Sequence, residues 1–304
     1  SVGVVCFKIL SGLSTFYLYI ALSHYLNPES LGKYELALSL IMLISCVFSL
    51  GYVPFVSGEF TRKNVDLVGI STNKINVSYF YTTLFISTLF VPVSYGFKSF
   101  LNFNNIELSV IFVTSILVFF KAMYASVLQH TFRPLKYSFF ESCYPIIITM
   151  ISVSYLYFSS APKIEVLLAS HLISLLFIAS SYMRESYPKI EIFVNLNFGE
   201  FIGIIRSSFQ WFVVSLISWI MYAADKWILE ILLSTMHVGL YSQIFKLSSA
   251  YNLVVVSTIA IIFTPHIYKS FRTEEPKVSW FMINNQAKYL VILTIALLSL
   301  NYIS

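Results

Sequence analysis

Long apolar segments separated by shorter polar connections run through the whole chain. There are nine segments, with approximate bounds 4–26, 34–57, 79–97, 107–129, 138–158, 164–183, 205–229, 238–265 and 282–302. A helix needs about 20 apolar residues to cross the hydrocarbon core of a bilayer. The segments approach or exceed this length and are apolar on every side, whereas a transmembrane β-strand alternates apolar and polar residues over about ten positions. The pattern predicts nine membrane-spanning α-helices.

The composition agrees with this pattern. Of the 304 residues, 58% are hydrophobic and 11% are charged, and the mean hydropathy is +0.79. A soluble domain carries about 25% charged residues. A chain with less than half that share of charged residues cannot cover a globular surface with water-facing groups. This excludes a soluble enzyme and a disordered or nucleic-acid-binding chain. The chain is therefore predicted to be an all-α integral membrane protein that contacts membrane lipids and no nucleic acid.

The connections differ in charge, and this difference orients the chain. Those after segments one, three, five and seven are short and carry three basic residues: Lys33, Lys98 and Lys163. The connections after the even-numbered segments, with the nearby helix ends, carry eleven: Arg62, Lys63, Lys74, Arg133, Lys136, Arg184, Lys189, Arg206, Lys269, Arg272 and Lys277. By the positive-inside rule the N-terminus and the long basic connections face the cytoplasm. The net charge of +5 thus orients the chain and does not mark an anion-binding surface.

Five further lysines fall inside the predicted segments. Burying a charged side chain in the hydrocarbon core costs free energy, so residues of this kind are candidates for function. Three of them are candidates for binding an anionic substrate: Lys246, Lys121 and Lys8. Each could instead extend its amine towards the membrane surface. The sequence leaves both interpretations open.

The other charged residues in the segments are assigned structural roles. Lys226 is four residues from Glu230 and next to Asp225, a spacing that suits a local ion pair on one helix. Lys288 lies close enough to the cytoplasmic face for its amine to reach the surface. Glu141 is expected at the membrane interface.

Thiols and imidazoles show no catalytic or metal-binding spacing. The three cysteines, Cys6, Cys46 and Cys143, lie in apolar runs and are expected to be small buried hydrophobic residues. The five histidines lie mostly near segment ends and are expected to be interfacial polar residues: His24, His130, His171, His237 and His266. The sequence also has no glycine-rich phosphate loop. We expect no cofactor, no metal and no enzymatic activity.

A nine-residue motif occurs twice, 207 residues apart: LNPESLGKY at 26–34 and LSTMHVGLY at 233–241. Four positions correspond: Leu26 with Leu233, Leu31 with Val238, Gly32 with Gly239, and Tyr34 with Tyr241. Six spans separate the copies, so both have the same orientation in the membrane. This predicts two parallel halves related by an axis along the membrane normal, with a cavity between them. Any two outer turns can look alike, which is the alternative interpretation.

The motif predicts a tight turn at the outer surface. Asn-Pro-Glu in one copy and Ser-Thr in the other are typical of turns and helix N-caps. Gly32 and Gly239 allow backbone to pass closely at the start of the next helix. Tyr34 and Tyr241 are expected in the aromatic belt at the membrane interface.

The first copy and the residues after it resemble a known family. Segment 26–60 is similar to the first outer turn and second helix of the O-antigen-type polysaccharide flippases, within the multidrug/oligosaccharidyl-lipid/polysaccharide exporter superfamily. Their pattern is Leu-x-Pro-x-x-hydrophobic-Gly-x-Tyr, an apolar helix, then Leu-Gly and a basic loop. Leu50-Gly51 and Arg62-Lys63 match that continuation. Later stretches resemble the end of the fourth helix, the end of the seventh and the start of the eighth: 125–129 with Arg133, Asp225-Lys226, and 238–241.

The resemblance implies an architecture. Family members have twelve or more spans in two six-helix bundles around a central cavity. Here it implies an N-terminal six-helix bundle (1–184), a cytoplasmic connection (185–204) and the first three helices of a C-terminal bundle (205–304). The chain is then expected to be a piece of a longer protein that lacks roughly the last three spans.

The resemblance also implies a function. These proteins move an oligosaccharide unit of O-antigen or capsule, carried on polyprenyl pyrophosphate, from the cytoplasmic to the periplasmic leaflet of the bacterial inner membrane by alternating access. Lys246, Lys121 and Lys8 would then neutralise the pyrophosphate or acidic sugars. Other membrane proteins of polysaccharide assembly are expected partners, and coupling to an ion gradient is implied by kinship.

Two other classes of function remain open. A membrane-embedded saccharide polymerase or ligase usually needs a large outer loop, and the outer connections within this sequence are all short. A drug or cation antiporter of the same superfamily needs intramembrane carboxylates, including an acidic site in its first helix. Residues 1–26 contain neither Asp nor Glu.

Overall fold

The computed structural model describes residues 2–55, 81–83, 88, 103–130, 134–186, 198–251, 284–285 and 288. These residues contain seven long α-helices: α1 Val2–Tyr25, α2 Pro28–Ser49, α3 Asn105–His130, α4 Pro134–Phe158, α5 Ile164–Ser186, α6 Phe198–Leu232 and α7 Thr235–Tyr251. The first six each include a stretch long and apolar enough to cross a membrane. The described part of the chain is therefore all-helical, with the composition of a multi-pass membrane protein.

The helices coincide with most of the predicted segments. Segments one, two, four, five, six and seven correspond to α1–α6, and α7 covers the beginning of segment eight. Almost all of segments three and nine, and the basic connections 58–78 and 266–281, lie outside the described residues. The count of nine spans and the orientation in the membrane stay predictions.

Each of the seven helices except α5 begins earlier than predicted, and the difference is largest for α2 and α6. α2 begins at Pro28, not at 34, because the Asn27 side chain caps it by accepting a hydrogen bond from the backbone N–H three residues on, at 2.8 Å. Proline suits this position because it has no N–H to leave unbonded. α6 begins at Phe198, inside the predicted connection, and α7 begins at Thr235. The residues after both turn motifs consequently lie deeper in the bundle than the sequence indicated.

α2 lies at the centre of the described helices. It packs against α7, α3 and α6, and it also touches α5 and α1. Among the remaining helices, α1 packs on α4, and α3 and α4 pack on α5. Thus α2 joins the helices of the predicted N-terminal bundle, α1–α5, to α6 and α7. We call α1–α5 the first group and α6–α7 the second group.

Three short turns lie at one end of the described helices. The turn between α1 and α2 touches the turn between α6 and α7. Lys33 in α2 contacts Glu107 at the start of α3 at 2.8 Å, and the Asn104 side chain donates to Glu165 at the start of α5 at 2.8 Å. We call this the short-turn end; the positive-inside rule predicts that it faces away from the cytoplasm.

The outward surfaces of the helices are apolar. Large hydrophobic side chains exposed along them include Met150, Phe177, Met221 and Ile244. Several polar and ionisable side chains are buried instead, among them Lys8, Glu35 and Lys226. An apolar outside with buried charges is the distribution expected where lipid is the solvent.

Candidate functional site

The two copies of the turn motif pack against each other. A Cβ atom added to Gly32 would lie 1.9 Å from the carbonyl oxygen of Thr235, and one added to Gly239 would lie 1.9 Å from the carbonyl oxygen of Pro28. No side chain fits in such a space. α2 and α7 therefore meet backbone to backbone at the short-turn end. The glycine of each motif lies against the backbone of the first residue of the other motif's helix.

Beneath this contact, two lysines of the second group converge on one carboxylate of α2. The Lys226 ammonium lies 2.7 Å from Glu35 Oε2, and the Lys246 ammonium lies 3.3 Å from Oε1. The Tyr19 hydroxyl donates to Oε1 at 2.5 Å. The Glu35 and Lys226 side chains are 0% and 1% exposed, and that of Lys246 is 13% exposed. We call Tyr19, Glu35, Lys226 and Lys246 the Glu35 cluster.

The Glu35 cluster lies inside the bundle and not at its surface. Glu35 is seven residues past the start of α2, which places it roughly 10 Å from the short-turn end at 1.5 Å per residue. Lys226 is six residues before the end of α6, at a similar depth. Lys246 is eleven residues past the start of α7, about 16 Å deep, and its ammonium lies over the Tyr19 ring. The position and partner of Lys246 are therefore those of a buried, paired charge.

The local ion pair predicted for Lys226 is wrong. Its ammonium binds Glu35 because that carboxylate is fully buried and needs a counter-charge. The acidic residues expected to pair with it accept hydrogen bonds from hydroxyl groups of α7: Asp225 from Tyr241 and Glu230 from Thr235. The side chains of α6 near this turn thus reach the two neighbouring helices and do not pair along their own helix.

The members of the cluster are related by the 207-residue spacing of the motif. Lys226 occupies the position that corresponds to Tyr19, and Lys246 the position that corresponds to Ser39. Ser39 is buried beside the cluster, where its carbonyl oxygen accepts from the Trp219 indole at 2.9 Å and its hydroxyl from the Trp227 indole at 3.0 Å. The first group supplies hydroxyls at the positions where the second group supplies positive charge.

Another set of charged side chains lies nearer the end of the helices that is opposite the short-turn end. The Lys121 ammonium is 3.0 Å from Glu141, and Lys8 is 8% exposed and close enough to both to interact electrostatically. Lys121 is nine residues before the end of α3, roughly 14 Å inside it. We call Lys8, Lys121 and Glu141 the Lys8 cluster. Lys121 is paired inside the bundle and does not extend to the surface, and Glu141 is part of that pair.

A histidine lies between the two clusters. Nε2 of His171 is 2.5 Å from the Tyr34 hydroxyl, and Nδ1 is 3.0 Å from the Tyr144 hydroxyl. Tyr34 precedes Glu35 in α2, and the Tyr144 ring lies 4.5 Å beneath the Lys121 ammonium. Tyr34, His171 and Tyr144 thus form a hydrogen-bonded series of polar side chains that lies between the Glu35 cluster and the Lys8 cluster.

Two interfacial assignments are therefore wrong. Tyr34 is 1% exposed and His171 is 8% exposed, so neither lies in an interfacial belt. Both point into the bundle because α2 and α5 begin at the short-turn end and these residues lie about two helical turns further on. Tyr241, the counterpart of Tyr34, is half-buried and bonded to Asp225.

The described residues suit an anion better than a metal. Among them, no group of three or more His, Cys, Asp or Glu side chains is placed to hold a metal ion. Each of the two clusters contains two ammonium groups and one carboxylate, which leaves an excess positive charge in each. An ammonium donates three hydrogen bonds, so the lysines can bind an additional oxyanion.

Comparison of the chain with protein-family models, with curated proteins and with solved structures returns no match.

Proposed function

We propose that the chain is a flippase of the kind its sequence resembles. It moves an oligosaccharide on polyprenyl pyrophosphate between the leaflets of the membrane by alternating access of two helix bundles. The observation that supports this proposal is the Glu35 cluster. In it, α2 of one predicted bundle is held to α6 and α7 of the other by buried ion pairs beneath the glycine contact.

In this proposal the structure corresponds to the state closed at the short-turn end. Gly32 and Gly239 bring the two bundles into backbone contact, and Lys226 and Lys246 bind Glu35 directly below. Opening at this end separates α2 from α7 and pulls the lysines away from the carboxylate. The same lysines then face the space between the bundles.

The excess positive charge selects the substrate. A buried ammonium without a counter-ion is costly, so an open cavity lined by Lys226 and Lys246 favours an anion over a neutral lipid. A pyrophosphate linkage is such an anion, and its lipid tail can stay in the bilayer. Glu35 and the substrate alternate as partners of the lysines, which couples substrate release to closure.

The charges disfavour the drug or cation antiporter. Glu35 is a buried carboxylate of the kind that such a transporter needs, but two lysines and a tyrosine hydroxyl already bind it. A cation entering this site would meet a net positive charge.

The proposal is tested by reconstitution into liposomes that contain a fluorescent saccharide on polyprenyl pyrophosphate. Arrival of the saccharide at the opposite leaflet is detected by an added glycosidase. We expect Lys246→Gln and Lys121→Gln each to slow translocation at least about tenfold, the effect of losing about 1.4 kcal/mol of binding. Lys163→Gln, at an exposed position in a short turn, serves as the matched control and retains the wild-type rate. If both cluster variants translocate at the wild-type rate while folded, the proposal fails.

A further inference from the structure

His171 is buried in the apolar bundle between two hydroxyl groups. Both ring nitrogens have a tyrosine hydroxyl within hydrogen-bond distance, and the side chain is nearly inaccessible. Buried polar atoms need hydrogen-bond partners, and here both partners are hydroxyls, each of which can donate or accept. Ionisable side chains inside membrane proteins are characteristic of ion pathways and proton relays.

The two hydroxyls fit both charge states of the ring. In neutral imidazole one nitrogen donates and the other accepts, so one tyrosine donates its O–H and the other accepts an N–H. In imidazolium both nitrogens donate, and each tyrosine oxygen can accept. The donating hydroxyl only has to rotate. Gaining a proton therefore costs His171 no hydrogen bond.

The charged groups around His171 determine when it gains that proton. α2 contributes Tyr34 and Glu35, α4 contributes Tyr144 and Glu141, α3 contributes Lys121, and Lys246 of α7 is within electrostatic range. The two clusters together place four ammonium groups against two carboxylates. Burial of the ring and this net positive charge both disfavour imidazolium, and a bound anion offsets the charge, so the ring is protonated more readily with the anion than without it.

We propose that His171, held between Tyr34 and Tyr144, is a proton-binding site whose occupancy is linked to the binding of an anion in the bundle. On anion binding the imidazole takes one proton from solvent and becomes imidazolium. When the anion leaves, the same proton is released. Linkage is reciprocal, so a proton on His171 strengthens anion binding by the same factor. The identification of the anion as a lipid pyrophosphate rests on the proposed function, whereas the proton site does not.

The test uses the full chain in nanodiscs with ¹⁵N-labelled histidine, followed by NMR over about pH 5 to 8, the range in which histidines titrate. The probe is a polyprenyl pyrophosphate capped with a sugar, whose phosphates stay fully ionised in that range. We expect the His171 signal, identified by its loss in His171→Gln, to change from imidazole to imidazolium when the lipid is added. The lipid Kd should then change by up to about tenfold per pH unit, which corresponds to one linked proton.

Matched variants separate the site from other histidines. His24→Gln and His237→Gln, at exposed positions near the short-turn end, should leave proton uptake unchanged. His171→Gln should bind the lipid with no pH dependence. If His171→Gln does not fold, Tyr144→Phe keeps the imidazole but removes one acceptor, and it should reduce proton uptake.

Two results would overturn the proton site: a His171 signal that stays neutral in the saturated complex, or equal proton uptake by wild type and His171→Gln. If the lipid does not bind wild type at all, the proposed function fails. The proton site is then decided by titration without lipid. Reversible protonation of His171 in the folded protein supports it, and an imidazole that stays neutral until unfolding contradicts it.

Discussion

The Glu35 cluster and the Lys8 cluster contain the same charges in different places. Each has two lysines and one glutamate, and each lies roughly 10–16 Å inside the helices that carry it. The Lys8 cluster lies on α1, α3 and α4, all in the first group. The Glu35 cluster takes its carboxylate from the first group and both lysines from the second.

In the alternating access proposed above, this difference gives the two clusters different roles. Ion pairs within one bundle can persist while the bundles move, so the Lys8 cluster is a fixed site. Ion pairs between bundles must break when the bundles separate, so the Glu35 cluster acts as a switch. His171 lies between the two and interacts electrostatically with Glu35 and Lys246 of the Glu35 cluster.

The largest expected difference is in stability. Glu35→Gln leaves two buried lysines without a counter-charge, and breaking a buried pair costs about 3–5 kcal/mol. Glu141→Gln breaks one ion pair instead of two, so its cost should be smaller, about 1–3 kcal/mol. Denaturant unfolding in detergent measures both. Equal costs would remove the distinction between the two clusters.

The glycine contact gives the next largest effect. Gly32→Ala adds a Cβ that would lie 1.9 Å from the carbonyl oxygen of Thr235, so it forces α2 and α7 apart. Overpacking of this kind lowers the free energy of unfolding by about 1–3 kcal/mol. Gly203→Ala in α6, where an added Cβ meets nothing within 4 Å, is the matched control and should stabilise the protein by about 0.5–1 kcal/mol. If the two variants have the same stability, the motifs are not in contact in the membrane.

The smallest effect concerns the uncharged contact between α2 and α6. Trp227→Phe removes the hydrogen bond from the indole to the Ser39 hydroxyl, which is worth about 1 kcal/mol. The loss should be the same at low and high salt, unlike a loss of exposed charges. A loss greater than that of Glu35→Gln would mean that tryptophans, and not ion pairs, hold the groups together.

Much of the fold followed from the pattern, but the site only in part. Apolar segments of sufficient length predicted α1–α6, and the turn motif singled out Gly32 and Gly239. Lys246, Lys121 and Lys8 were singled out because charge inside a span is costly. Glu35 was missed because the start of α2 was predicted six residues too late, which placed this residue at the membrane surface. Asn27 and Pro28, a cap followed by a first-turn proline, are the signal that would have corrected it.

The partners of these residues could not be predicted. The pairing of Lys226 with Glu35 and of His171 with Tyr34 joins positions 191 and 137 residues apart. Such contacts depend on how the helices pack, and the spacing along the chain favoured the nearer partner Glu230 for Lys226. Local periodicity determines which residues are buried in a helix, but not which buried residues meet.

A reversible cross-link at the glycine contact tests whether the short-turn end must open. Pro28→Cys and Thr235→Cys, at two positions whose backbones both lie at this contact, are joined by a short bis-methanethiosulfonate linker in a background with the three native cysteines replaced by alanine. Ser14→Cys with Thr149→Cys, which joins α1 to α4 within the first group, is the control pair. We expect translocation of the lipid-linked saccharide to stop when positions 28 and 235 are cross-linked, to recover on reduction, and to continue with the control cross-link. Undiminished translocation by the protein cross-linked between 28 and 235 would contradict alternating access at this contact.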